Sequence, residues 1–125
     1  MNENEISKIL VDCCFKVHTE LGPGLLESVY EEVLSYEIIK RGLNAKRQKG
    51  IPVVYDQIKM ELGFRADIIV EYKVIIELKS IEAIAPVHAK QLLTYLKLTG
   101  FKLGLLVNFN EALIKDGIRR IANNL

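Results

Sequence analysis

Tryptophan is missing from this chain, cysteine and histidine occur only twice each, and neither sign of charge prevails. Each scarcity closes off a class. The only thiols, Cys13 and Cys14, are neighbours, and adjacent helical positions point about 100° apart, which does not suit a disulfide. They read as small core residues. His18 and His88 stand at no zinc-finger spacing, so a Cys/His zinc site is excluded. With 17 Lys plus Arg against 16 Asp plus Glu, the formal charge is +1. That rules out a histone-like polycation, and any hold on nucleic acid must come from a local patch. The unbroken apolar runs are a few residues long, far short of the roughly 20 that span a bilayer. The opening Met1-Asn2-Glu3-Asn4-Glu5 is polar and acidic, unlike a signal peptide. A soluble protein of a reducing cytoplasm, without a membrane partner, is expected.

What is present is enough for one core. Half of the 125 residues are apolar and 26% are charged, a balance that excludes wholesale disorder and predicts a single domain over residues 1–125. Ile6, Ile9, Leu10, Cys13, Val17 and Leu21 recur at steps of three and four, the pattern of an amphipathic helix over Glu5–Leu21 that Gly22-Pro23-Gly24 must break. Leu26, Val29, Tyr30, Val33, Leu34, Ile38 and Ile39 predict a second helix stopping at Gly42. Strands are predicted at Ile51–Tyr55, Lys59–Leu62, Arg65–Glu71 and Val74–Lys79, the last two as a hairpin. Pro86 opens a helix running to about Leu98, with Gly100 as its stop. Lys102–Phe109 reads as a strand buried on both faces. The tail is open between a helix over Ala112–Asn123 and an edge strand at Ile118–Ala122. This order predicts an α/β protein with a central mixed sheet flanked by helices, its parallel pair joined through the Pro86 helix.

Polar groups inside the apolar strands carry the chemistry. Asp67 interrupts Phe64–Val70, and Glu77 and Lys79 interrupt Val74–Lys79. A carboxylate facing a core costs several kcal/mol, on the order given by burial data, unless it is paired, hydrogen-bonded or bound to a cation. A divalent ion such as Mg²⁺ would take both carboxylates while keeping several waters. A neighbouring lysine could orient a water and offset phosphate charge. The alternative is an ordinary salt bridge between Asp67 and Lys79.

Asp67 followed by Glu77-Leu78-Lys79 resembles the PD-(D/E)xK nuclease signature. Gln91 and Tyr95 resemble the QxxxY helix motif of its RecB-like and lambda-exonuclease-like branch. Gly24-Leu25-Leu26-Glu27-Ser28-Val29-Tyr30 resembles the GxxExxY motif of a small bacterial and archaeal family placed in that superfamily. His18–Gly24 and Leu105–Phe109 are similar to that family as well, so the resemblance runs from about Ile6 to Ile121. It departs at Ala66, where the superfamily name has proline. The resemblance implies a restriction-endonuclease-like core, metal-assisted phosphodiester hydrolysis with DNA favoured, and Mg²⁺ or Mn²⁺ as cofactor. It implies Asp67, Glu77 and the Leu78 carbonyl as metal ligands, Glu27 as a further one directly or through water, and Lys79 as the catalytic lysine. Gln91 and Tyr95, one turn apart, would position the metal shell or the nucleic-acid backbone. A non-catalytic nucleic-acid-binding module, a homodimer and an accessory subunit of a larger complex are the alternatives in function and assembly.

The hairpin sets its own condition. With a two-residue turn at Tyr72-Lys73, Asp67 falls opposite Leu78 and faces away from Glu77; a three-residue turn, Glu71–Lys73, or a bulge puts Asp67, Glu77 and Lys79 on one face. Lys40, Arg41, Lys46, Arg47 and Lys49 form a basic stretch free of acids, and Arg119-Arg120 a second pair. Lys46, Arg47, Lys49, Arg119 and Arg120 are the candidate phosphate contacts, with a solvated loop as the alternative for the first group. His88, one turn before Gln91, reads as a capping or surface residue, and His18 as structural.

Overall fold

The computed structural model describes residues 1–125, the Leu62 side chain excepted. Helix α1 spans Glu3–Leu21 and opens on a capping box: the Asn2 side chain accepts from the Glu5 N–H at 2.8 Å while the Asn2 N–H donates to Glu5 at 3.0 Å. Two orphan donors of the first turn are thereby satisfied. Ile6, Leu10, Cys13, Cys14 and Val17 form its buried face, and both thiols are free. Helix α2 spans Glu27–Lys40 and buries Tyr30, Leu34 and Ile38. Gly42, at φ 87°, closes it in the left-handed region that a side chain disfavours.

Strands β1 (Ala45–Tyr55), β2 (Ile58–Val70) and β3 (Val74–Lys79) follow, then α3 (Pro86–Thr99), β4 (Leu103–Asn108), a 3₁₀ turn at Ile114–Asp116 and β5 (Ile118–Ala122). The five strands lie in chain order across one sheet. All neighbours are antiparallel except β3 and β4, which α3 connects in parallel. The expected mixed sheet flanked by helices is therefore the observed one. Helices α1 and α2 cover one face, over Ile68, Val70, Val74, Ile76, Leu78, Leu105 and Val107; α3 covers the other, over Phe64, Ala66, Ile69, Ile75 and Leu106. Every residue of β4 is buried. A Cβ at Gly104 would come within 2.9 Å of the Leu92 side chain, so its absence is what lets α3 lie close on the strand.

Two expectations change. The first strand begins at Ala45 rather than Ile51, so Lys46, Arg47 and Lys49 belong to a strand and not to a loop. Pairing with Ala66–Val70 supplies their backbone partners, and that tertiary context outweighs their weak β-propensity. The predicted strands Lys59–Leu62 and Arg65–Glu71 are one continuous β2, in which the Leu62 side chain lies outside the described residues. The tail resolves as the edge strand, because β4 offers a free edge on which Ile118 to Ala122 pair with Val107 to Leu103. No helix among the described residues is long and apolar enough to cross a membrane.

Candidate functional site

The hairpin of β2 and β3 meets the condition set by the sequence. Val70 pairs with Val74, Ile69 with Ile75 and Ile68 with Ile76, leaving Glu71, Tyr72 and Lys73 as a three-residue turn. Glu71 and Tyr72 adopt φ of 54° and 51°, and the Lys73 N–H closes onto the Val70 carbonyl at 3.0 Å. Continued by one residue, this register sets Asp67 opposite Glu77. The strand pairing ends there, and Asp67 takes its place: its Oδ2 accepts the Leu78 N–H at 2.8 Å. A side-chain carboxylate thus stands where a strand carbonyl would otherwise be.

Glu77 and Lys79 alternate with the buried Leu78 and share the face of Ile75, beneath α3. The Glu77 carboxyl is pushed up to about 9, first by burial, then by the neighbouring Asp67 charge and a side-chain hydrogen bond between the two acids; the Lys79 ammonium offsets part of the rise. Beside the Asp67 charge the protonated form of Glu77 is favoured, and a cation between the two would reverse that preference. Glu77 Oε1 is buried without a hydrogen-bond partner. The Tyr95 hydroxyl is also raised, first by burial and then by the charges of Glu77 and Asp67. Its ring stacks on Phe64 with centroids 3.8 Å apart. Gln91 is exposed one turn earlier on α3.

A cavity of about 140 Å³ on the α2 side is lined by Glu27, Ser28, Glu31, Gln48, Asp67 and Leu78, so that Asp67 borders both this cavity and Glu77. Glu31 and Gln48 were not singled out by the sequence reading. Gln48 sits opposite Asp67 in β1 at φ 50°, a left-handed residue inside a strand. Its Nε2 donates to Glu31 Oε1 at 2.7 Å and to Asp67 Oδ1 at 3.3 Å, and its carbonyl accepts from Arg65 at 3.2 Å. Glu31 is buried and also binds Arg47 at 3.3 Å. Backbone strain of this kind costs on the order of 1–3 kcal/mol and concentrates at functional sites. The four-residue spacing of Glu27 and Glu31, one face of one helix, is the signal that could have found the second acid. Nothing in the residue pattern marked the backbone of Gln48.

Other motif residues hold the frame. Tyr30 donates to the Gly22 carbonyl at 2.6 Å and accepts from the Leu25 N–H at 3.1 Å, and its ring stacks on Phe109 at 4.5 Å. It therefore pins the loop that delivers Glu27. Asn108, fully buried, brackets Ile81 through both its amide oxygen and nitrogen, at 3.2 and 3.0 Å, and so directs the chain leaving Lys79. His18 Nε2 donates to the Glu111 carbonyl at 2.8 Å, and His88 Nδ1 accepts the Ala85 N–H at 3.0 Å at the head of α3; the structural readings of both agree with these contacts. Lys46 and Lys49 are exposed on β1. Arg119 and Arg120 point to opposite faces of β5, three strands from Asp67, and Arg120 hydrogen-bonds Asn4.

Among the described residues no three acidic, histidine or cysteine side chains gather closely enough to hold an ion between them. Mg²⁺ needs fewer: one or two carboxylates, with water completing an octahedron. Asp67, Glu77 and the Leu78 carbonyl suit that demand, and the unpartnered Glu77 Oε1 is the atom a cation would satisfy. Glu27 lines the cavity that Asp67 also lines, and would reach the ion directly or through water.

A family profile described as PD-(D/E)XK nuclease superfamily matches residues 4–121. Nothing matches among curated proteins or among solved structures.

Proposed function

Because the chain belongs to the PD-(D/E)XK nuclease superfamily, we propose that it hydrolyses nucleic-acid phosphodiester bonds, with DNA as the favoured substrate and Mg²⁺ or Mn²⁺ as cofactor. One observation carries this reading: Asp67 and Glu77 share a site in which a Glu77 oxygen has no partner. When bound, the ion polarises the phosphate and lowers the pKa of water.

The protein groups divide the remaining work. Asp67 and Glu77, with the Leu78 carbonyl, would hold the ion, and Glu27 would reach its water shell. The Lys79 ammonium, two residues from Glu77 on the same face, orients the attacking water and offsets negative charge on the phosphate. Tyr95 and Gln91, from α3, position the shell or the substrate backbone. Lys46, Arg47 and Lys49 lie on β1 with Gln48 and contact phosphates; Arg119 and Arg120, on opposite faces of β5 at the far edge, would each meet phosphate separately. The free, buried thiols Cys13 and Cys14 suit a reducing cytoplasm.

The test is cleavage of labelled single-stranded, duplex, branched and RNA substrates with Mg²⁺ or Mn²⁺, with Lys79→Ala purified in parallel. Activity in the native chain that Lys79→Ala abolishes supports hydrolysis at this site. Equal activity in both preparations identifies a contaminant, and none in either favours a non-catalytic binding module. The absence of a three-acid cluster among the described residues is the observation on that module's side. Homodimerisation and service as an accessory subunit are read by the mass in solution with and without substrate.

A further inference from the structure

The β1–β2 hairpin carries a feature that hydrolysis at Asp67 and Glu77 does not use. Val53 pairs with Met60 and Tyr55 with Ile58, so these four side chains share one face of the ribbon. Lys49, Ile51, Phe64 and Ala66 lie on that face nearer its base. The strip is covered only at its root. Val53 and Phe64 are buried under α3, whereas Tyr55 is 73% exposed, Ile58 62% and Met60 40%. Soluble proteins guard such edges, because an apolar ribbon on an edge strand invites association.

Charge identifies the occupant. Between Ala45 and Ala66 the chain places Lys46, Arg47, Lys49, Lys59 and Arg65 against Asp56 and Glu61. This ribbon therefore carries a net charge of +3 that the +1 total conceals. Lys59 is paired with Glu61 at 3.9 Å and Arg47 with Glu31, while Lys46 and Lys49 make no ion pair among the described residues. Cations at the stem with an exposed aromatic and aliphatic tip are the combination that holds a nucleic-acid strand: ammonium groups take phosphates and a ring takes the face of a base. The strip is also continuous with the candidate site, since Phe64 at its root stacks on Tyr95. From Gln48, opposite Asp67, to Tyr55 is seven residues of strand, roughly 23 Å, a reach of several nucleotides.

We propose that the β1–β2 hairpin is a nucleic-acid-binding arm, with Lys46 and Lys49 on phosphates and a base stacked on Tyr55 against Ile58 and Met60. Its occupant rests on the nucleic-acid reading of the site, but the arm does not depend on turnover. The test is binding of a fluorescein-labelled oligonucleotide, single-stranded and duplex, to the intact chain in EDTA across a salt series. Tyr55→Ser combined with Ile58→Ser, two exposed positions, is expected to weaken at least one form about tenfold with an unchanged salt slope and melting temperature. Lys46→Ala combined with Lys49→Ala is expected to shrink the slope of log K against log salt by about 2. Unchanged affinity in the tip variant overturns the arm, and so does a tip variant that alters only the mass in solution, which would make the strip a contact between copies. Tip-dependent binding without cleavage by the native chain keeps the arm and defeats hydrolysis. Cleavage and binding indifferent to the tip do the reverse.

Discussion

The backbone N–H of Leu78 donates to Asp67 Oδ2 at 2.8 Å, so the strand that carries the second carboxylate also holds the first. This bond occupies one Asp67 oxygen, and Gln48 approaches the other. Rotation of the carboxylate is thereby restricted before any ligand arrives, which is the preorganisation a metal or phosphate site requires.

Metal binding is expected to stabilise the fold through this pair. Mn²⁺ at about 100 times its dissociation constant adds roughly 2.7 kcal/mol, a rise in melting temperature readable by calorimetry. Asp67→Asn and Glu77→Gln should each lose most of that rise. An equal rise in all three proteins would move the ion elsewhere.

In metal-free buffer the sign is opposite for Glu77. Its folded pKa, about 9, lies above the ordinary 4.5, so the native state binds a proton that the unfolded chain has released. That stabilisation is complete below about pH 4.5 and is lost as the pH rises toward 9. Glu77→Gln, which keeps the neutral shape, is expected to raise stability at pH 7 by about 1–3 kcal/mol and to flatten this part of the pH profile. Urea melts at several pH values check it; a native chain that gains stability from pH 5 to 9 by way of Glu77 contradicts the buried, protonated carboxyl.

Gln48 is expected to separate strain from hydrogen bonding. Gln48→Ala and Gln48→Gly both remove the amide that holds Glu31 and Asp67, and each should weaken Mn²⁺ binding about 10–100-fold, the usual cost of losing an outer partner. At φ 50° only glycine sits without strain, so Gln48→Gly should be more stable than Gln48→Ala by about 1 kcal/mol and melt higher. Equal melting points would mean that the backbone relaxes once the side chain is gone.

Tyr30→Phe retains the stack on Phe109 and deletes two hydrogen bonds to the Gly22–Leu25 loop. A loss of about 1–2 kcal/mol is expected, with faster amide exchange at Leu25. Unchanged exchange would show that the loop is held by other contacts, such as the Ser80 hydroxyl donating to the Leu25 carbonyl at 2.5 Å.

The fold was legible where periodicity and punctuation agree: both N-terminal helices, the helix opened by Pro86, and the fully buried β4 follow from apolar spacing and from Gly22, Gly42 and Gly100. Lys46 to Lys49 escaped because a run of cations has no strand signature, and only its partners on β2 make it one. The tail escaped because Ile118 and Ile121 stand three apart around Arg119-Arg120, a spacing that suits a helix as well as an edge strand. Within the candidate site, Asp67, Glu77 and Lys79 announce themselves as charges in apolar strands. Gln48 does not, since a left-handed backbone arises from how β1 meets β2 and leaves no mark on side-chain chemistry.

The contact from His18 to the Glu111 carbonyl spans 93 residues, and a hydrogen bond joins Asn4 to Arg120. Contacts so distant in sequence close late, because the chain must lose its loop entropy before they form. The hairpin that sets Asp67 against Glu77 is local and needs no such wait. On the ribosome, therefore, the acidic pair can assemble while α1 still lacks the partners in Glu111 and Arg120 that fasten it. The layer of α1 and α2 is thus fastened in part from the far edge of the sheet, and the wall that α2 gives the cavity is steadied only once residues 111–120 have joined it.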